Sequence, residues 1–309
     1  MSQLRRIARD VTAPPLAPGF VGPGHLAAQV VSPDDFALND PFIMLADDHL
    51  DIGDRQVGGP HPHAGFETVT LVLDGAIYDR DEGGVIAAGE VQWMTAGRGI
   101  VHGENVATKG HVRLLQLWLT LPKERRWMAP AFQDIRSEAV PVRREPGVEV
   151  RLYSGTSGSY RSRTCNQAAV TITEVTMEAL RSVDQEIPSS FNGFVYVLRG
   201  SVRVGADASF LRAGQVGWLD RPDGDGTSLL RMVAGDEAVR FVVYAGQPQR
   251  DPIVWHGPFI GDSRADIVRL YGEYRDGRFE RMSDLARSAG TGSNRQDLEA
   301  VLGRQLPWE

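Results

Sequence analysis

Two short segments hold the side chains in this sequence best suited to chemistry. In Gly58-Gly59-Pro60-His61-Pro62-His63-Ala64-Gly65-Phe66-Glu67, two histidines stand two residues apart. On a strand, alternate side chains share a face, so His61 and His63 point the same way. The second segment, Gly97-Arg98-Gly99-Ile100-Val101-His102-Gly103-Glu104-Asn105, repeats that spacing with His102 and Glu104. Folding back the hairpins between them gives three neutral imidazoles and one carboxylate around a single cation, with one or two positions open. Such a donor set suits iron(II), manganese, nickel, copper or zinc. Open positions on a redox metal suit dioxygen chemistry, which puts Fe(II) first. The carboxylate would lower the net charge and is also a candidate catalytic base. Glu67 lies four residues beyond His63 with the same parity, and spacing does not choose between it and Glu104 as fourth ligand.

The remaining histidines read differently. Of the seven in the chain, His25, His49 and His111 are assigned surface or loop roles, and His256 a structural hydrogen bond. Phe66, Trp93 and Met94 either line the cavity or belong to the core.

The elements that must position these groups come in two copies. Val72-Leu73-Asp74-Gly75 is followed by Ala87-Ala88-Gly89-Glu90-Val91-Gln92-Trp93; later, Val197-Leu198-Arg199-Gly200 is followed by Arg212-Ala213-Gly214-Gln215-Val216-Gly217-Trp218. The offset is 125 residues throughout, which reads as a duplicated domain. Each copy is β structure: Glu67 to Leu73 and Phe194 to Leu198 are rich in β-branched and aromatic residues and end at a glycine turn. Further strands are expected at 114–121, 148–153, 169–175, 229–233 and 239–244. Many short strands with glycine turns indicate a barrel or sandwich. Adding 125 to the four candidate ligands gives Glu186, Pro188, Thr227 and Leu229, so the second copy keeps the scaffold without the histidines.

Helices are expected only near the C-terminus. Asp262-Ser263 would cap one from Arg264 to Tyr274, Ser293-Asn294 another, and Ser283-Asp284 a weaker third. The proline- and charge-rich stretch 122–146 is the candidate linker.

Composition narrows the function. Net charge is −7 and the pI about 5.6, which argues against nucleic acid as a partner. The cluster Lys123-Glu124-Arg125-Arg126 reads as a solvated loop. The single cysteine, Cys165, reads as a small buried filler at the start of an apolar strand, and its solitude fits a reducing, cytoplasmic compartment. Arg5-Arg6 is followed by prolines and no apolar stretch, so no secretory signal is expected. No run is long and apolar enough for a membrane span.

The chain resembles the pirin family, a group of bicupin proteins. The match runs through His61 to Thr70 and Val91 to His102, and resumes at Leu115 to Leu119 and Pro252 to Phe259; between 140 and 240 it lies in strand pattern only. The resemblance implies an all-β fold of two cupin (jelly-roll-like) β-barrels in tandem with short C-terminal helices. The expected division is a metal-binding cupin at 1–135, a cupin without ligands at 136–290 and a helical tail at 291–309. It implies iron held by His61, His63, His102 and Glu104, leaving Glu67 outside the ligand set. Some bacterial members open the flavonol quercetin with dioxygen. This implies a quercetin 2,3-dioxygenase-like enzyme with a small aromatic, flavonol-like substrate, O2 as co-substrate and Glu104 as base. Lysine-poor, arginine-rich usage points to a bacterial source. A vertebrate member is a nuclear, redox-sensitive transcription cofactor, which implies the alternative of a non-enzymatic, iron-sensing regulator with a protein partner. A cupin without redox chemistry would be the reading if the metal were zinc. The chain departs from many relatives at Gly103, in the short loop 79–84 and in the tail after Arg287.

Overall fold

The computed structural model describes residues 3–20, 22–51, 59–79, 84–106, 110–222, 224 and 226–289. It is all-β with short helices, and divides into two compact units. One comprises Pro15–Asp34, Phe42–Ser137 and Gln249–Glu309; the other comprises Met1–Pro14, Asp35–Pro41 and Glu138–Pro248.

The histidine-bearing unit is built on a seven-stranded antiparallel sheet. Its order is Ala131–Ile135, Val91–Thr95, Phe66–Asp74, Val112–Thr120, Phe42–Leu50, His25–Val31, Ala17–Pro18. The other unit repeats it as Ile7–Thr12, Gln215–Leu219, Asn192–Arg199, Val239–Gly246, Val170–Met177, Val148–Ser154, Val142–Glu145. A four-stranded sheet of Ser182–Pro188, Thr227–Ala234, Ser201–Val204 and Ser209–Arg212 closes this second unit. Val175, Val195 and Phe241 of the large sheet and Val183, Val202 and Leu230 of the small one share a single buried apolar cluster. Alternate residues of each strand supply that core, as a half-buried pleated strand requires.

The duplication holds in register as well as order. Val69 lies opposite Trp93, and Phe194, 125 residues later, opposite Trp218. The turn glycines match too: φ is 76° at Gly75 and 73° at Gly200. Ala88 N–H donates to the Gly75 carbonyl at 3.0 Å and Ala213 N–H to the Gly200 carbonyl at 2.9 Å. At Gly200 a Cβ would stand 2.4 Å from the Ala238 carbonyl oxygen, so both the left-handed turn and the space demand glycine.

Each unit also takes in a parallel segment from a chain end. Glu280–Arg281 pairs with Ile100–His102, and Leu4 bridges Leu229.

Several expectations are corrected. The stretch 122–146 is not a bare linker: Ala131–Ile135 pairs with Val91–Thr95 and Val142–Glu145 with Val148–Ser154. Cys165 is exposed, because it precedes the strand Val170–Met177 in an irregular segment. Arg126 is fully buried and pairs with Asp262 at 2.9 Å, unlike a solvated loop residue. His25 is also buried, on the strand His25–Val31, with its Nε2 2.7 Å from Asp48 Oδ1, and His49 lies on the strand Phe42–Leu50, 3.0 Å from His111. Ser263 caps the helix Arg264–Arg275 in a reciprocal capping box with Asp266. The helix Met282–Ala289 begins before Ser283, which is therefore inside it rather than its cap. The helix expected at Ser293-Asn294, the tail 291–309 and most of the loop 79–84 lie outside the described residues.

Candidate metal centre

The strand His61–His63 runs antiparallel to Ile100–His102, with His61 opposite His102 and Ile100 opposite His63. This register gathers the three imidazoles. Ring centroids are 4.5 Å apart for His61 and His102, 4.9 Å for His61 and His63, and 5.1 Å for His63 and His102. One ring nitrogen from each lies within 4.8 Å of the others, and among the described residues no other such group of three occurs.

His63 and His102 are buried, while His61 keeps partial exposure. Burial, reinforced by the neighbouring His102, lowers the His61 pKa to about 4. The same causes, with His61 added, hold His63 well below the ordinary value. Both rings are therefore neutral at pH 7, with a lone pair to offer a cation. His61 Nδ1 is 3.2 Å from the Gly59 carbonyl; donating there leaves Nε2 as the ligand atom. Three convergent ring nitrogens, two of them on rings held neutral, fit a divalent transition metal.

Phe66 and Trp118 wall the site. Their rings lie 5.3 and 5.5 Å from His63, so Phe66 is a site neighbour. Trp118 was not anticipated; its place opposite Thr68 on the paired strand could have flagged it. Met94 instead belongs to a core cluster with Ala96, Ile100 and Met282.

Glu67 is fully buried, accepts a 2.8 Å hydrogen bond from the Thr95 hydroxyl and is not part of the histidine cluster. Glu104 opens the strand Glu104–Val106, opposite Asp79; its side chain lies outside the described residues.

Segments distant in sequence hold the triad in place. Beyond the Ile100–Glu280 pairing, Phe279 packs on Gly99, where φ is 138° and a Cβ would meet the ring at 2.5 Å. Arg98 donates to Glu280. After His63 the chain reverses at Gly65 (φ 89°), whose N–H donates to the Gly97 carbonyl at 2.8 Å, while Ile260 N–H donates to the Ala64 carbonyl at 3.0 Å. His256, as expected, makes a structural contact, 3.0 Å from the Tyr271 hydroxyl.

In the second unit, Glu186 faces Leu229 and Pro188 faces Thr227. No imidazole stands there. A buried guanidinium does: Arg5 Nε donates to Ser228 Oγ at 2.7 Å, and Nη2 to the carbonyls of Pro188 at 2.7 Å and Phe191 at 3.0 Å.

Two cupin units on one chain, one of them carrying a histidine triad, define a bicupin protein. The Pirin family model matches residues 25–119, and the model of the Pirin C-terminal cupin domain matches residues 172–280. The latter reaches into the stretch where the sequence resemblance had rested on strand pattern alone. A pirin-like protein of Solanum lycopersicum is 32% identical over 265 residues, covering 84% of this chain and 89% of the relative. The chain belongs to the pirin family. A crystal structure from Geobacillus kaustophilus shares 37% identity at a TM-score of 0.75, covering 82% of this chain and 100% of that one. A quercetin 2,3-dioxygenase of Acinetobacter baumannii shares 27% identity at a TM-score of 0.79, covering 89% and 98%. Among the described residues no helix is long and apolar enough to cross a membrane.

Proposed function

We propose that the protein is a mononuclear-metal dioxygenase that opens a flavonol such as quercetin with O2, its metal held by His61, His63, His102 and Glu104. The observation that carries the reading is the convergence of three imidazoles in one cupin unit. The likeness to an enzyme named for this reaction supports the choice of substrate. Fe(II) is the metal proposed first, ahead of manganese, nickel, copper and zinc; when bound it supplies a Lewis-acidic, redox-active centre with open positions.

The chain's own groups have separable tasks. The imidazoles hold the cation without adding charge. Glu104 offsets one positive charge and accepts the proton of the flavonol 3-hydroxyl. Phe66 and Trp118 keep water from the His63 side, which strengthens every polar interaction within. Both atoms of O2 enter the opened product, and one ring carbon leaves as carbon monoxide.

The test is aerobic incubation of iron-loaded protein with quercetin, following its visible absorbance and the release of carbon monoxide. Glu104→Gln is expected to slow turnover at least tenfold. Quercetin loss no faster than with metal-free protein refutes the proposal.

A further inference from the structure

We propose that Phe20 is a specificity-determining residue, which selects planar aromatic ligands by packing its ring against them at the open side of the triad. The inference rests on the reading of the metal centre given above and adds to it a residue and a selection rule.

Phe20 is 82% exposed. Single exposed apolar side chains are common on protein surfaces, so the case lies in where this ring stands and how it is held. Its centroid is 6.4 Å from that of His61, the least buried of the three imidazoles. Phe20 therefore stands beside the one imidazole of the cluster that keeps solvent exposure.

The ring is held there by a built support. The strands Ala17–Pro18 and His25–Val31 pair antiparallel. Gly19 N–H donates to the His25 carbonyl at 2.9 Å, and His25 N–H to the Gly22 carbonyl at 3.0 Å. Gly19 lies flat on the His25 ring, where any Cβ would come within 2.2 Å of Nδ1. His25 is itself buried and bound to Asp48 at 2.7 Å. Phe20 meets the edge of the His25 ring at 5.5 Å. A glycine, a buried histidine and a buried aspartate thus fix the base of a side chain that gains almost no burial of its own.

Such a ring discriminates by shape. A flat aromatic molecule bound at the centre could pack on it, and aromatic pairs contribute beyond simple burial. A small, non-aromatic chelating anion would gain nothing from it.

The experiment uses anaerobic calorimetry on the full chain loaded with zinc, a redox-inert stand-in, with quercetin and oxalate as probes. Phe20→Ala is expected to weaken quercetin binding roughly 3- to 10-fold, the range of one aromatic pair, with oxalate affinity, metal content and thermal midpoint unchanged. Phe20→Tyr should restore quercetin binding. Equal quercetin affinity in wild type and Phe20→Ala overturns the role of Phe20 and leaves the flavonol reading standing. Equal weakening of quercetin and oxalate overturns the selectivity. Wild-type protein that takes up zinc but binds no quercetin overturns both readings together.

Discussion

Replacing Gly65 by alanine tests whether the C-terminal segment sets the geometry of the triad. Gly65 adopts φ 89°, and a Cβ there would stand 2.0 Å from the Ile260 carbonyl oxygen and 2.9 Å from its carbon. The left-handed conformation alone costs alanine about 1 kcal/mol. The collision is with main chain, so no side-chain rotation relieves it, and the strand Phe259–Gly261 must withdraw. Withdrawal gives up the Ile260-to-Ala64 hydrogen bond at 3.0 Å and the Ala64-to-Pro258 bond at 3.4 Å, at about 1 kcal/mol each. The total is about 3 kcal/mol, or roughly a hundredfold in the folding equilibrium. Because Ala64 follows His63 directly, zinc affinity should fall as well, by roughly tenfold or more, as when a group supporting a ligand is lost. Urea denaturation of the metal-free protein and zinc titration against a competing chelator read the two effects. Gly59→Ala is the control: nothing lies within 4 Å of its Cβ position and its φ is ordinary, so its cost should stay within about 0.5 kcal/mol. If Gly65→Ala and Gly59→Ala match in urea midpoint and zinc affinity, the bracing argument is wrong.

Three further outcomes are expected. His63→Ala and His102→Ala should purify with far less than one metal per chain by elemental analysis, whereas Glu186→Ala, at the place in the second copy that matches His61, should keep full occupancy. The metal-free protein should lose stability as pH falls from about 6.5 toward about 4, because unfolded histidines take up protons near 6.5 while His61 resists protonation until about 4 and burial holds His63 well below its ordinary value. No contribution from these rings is expected above pH 7, and His61→Asn should flatten the acid slope of the urea midpoint; a slope already flat in wild type contradicts the assignment. Arg5→Met should cost about 3 kcal/mol or more by stranding buried acceptors, seen as a lower urea midpoint, with metal content unaltered.

Much of this was legible in the sequence, for identifiable reasons. The strands Phe66–Asp74 and Asn192–Arg199 announce themselves because β-branched runs ending in Asp-Gly or Arg-Gly leave the chain few alternatives. The histidine pairing was readable because strand parity is local: His61 and His63 share a face wherever the strand goes. What stayed hidden depends on long-range contacts. His25 reads as a loop residue until Asp48, 23 positions away, is seen beside it. Arg126 reads as solvated until Asp262 arrives from the far end of the chain. The strand Ala131–Ile135 sits in a proline- and charge-rich stretch that masks its period and is recruited by pairing with Val91–Thr95. Cys165 misleads in the opposite way, since the apolar run that seemed to bury it begins only after it.

The two chain ends have consequences for cutting the molecule apart. Residues 1–14 fold with 138–248, and residues from 249 onward with 15–34 and 42–137. A break between 137 and 138 would give each fragment the terminus that the other one lacks. The first would present Ile100–His102 without its partner Glu280–Arg281, an open edge beside the clustered histidines. The second would leave Leu229 without Leu4 and Ser228 without the guanidinium of Arg5. Neither half is an autonomous module; co-expressed, the fragments should recover metal binding only by trading termini.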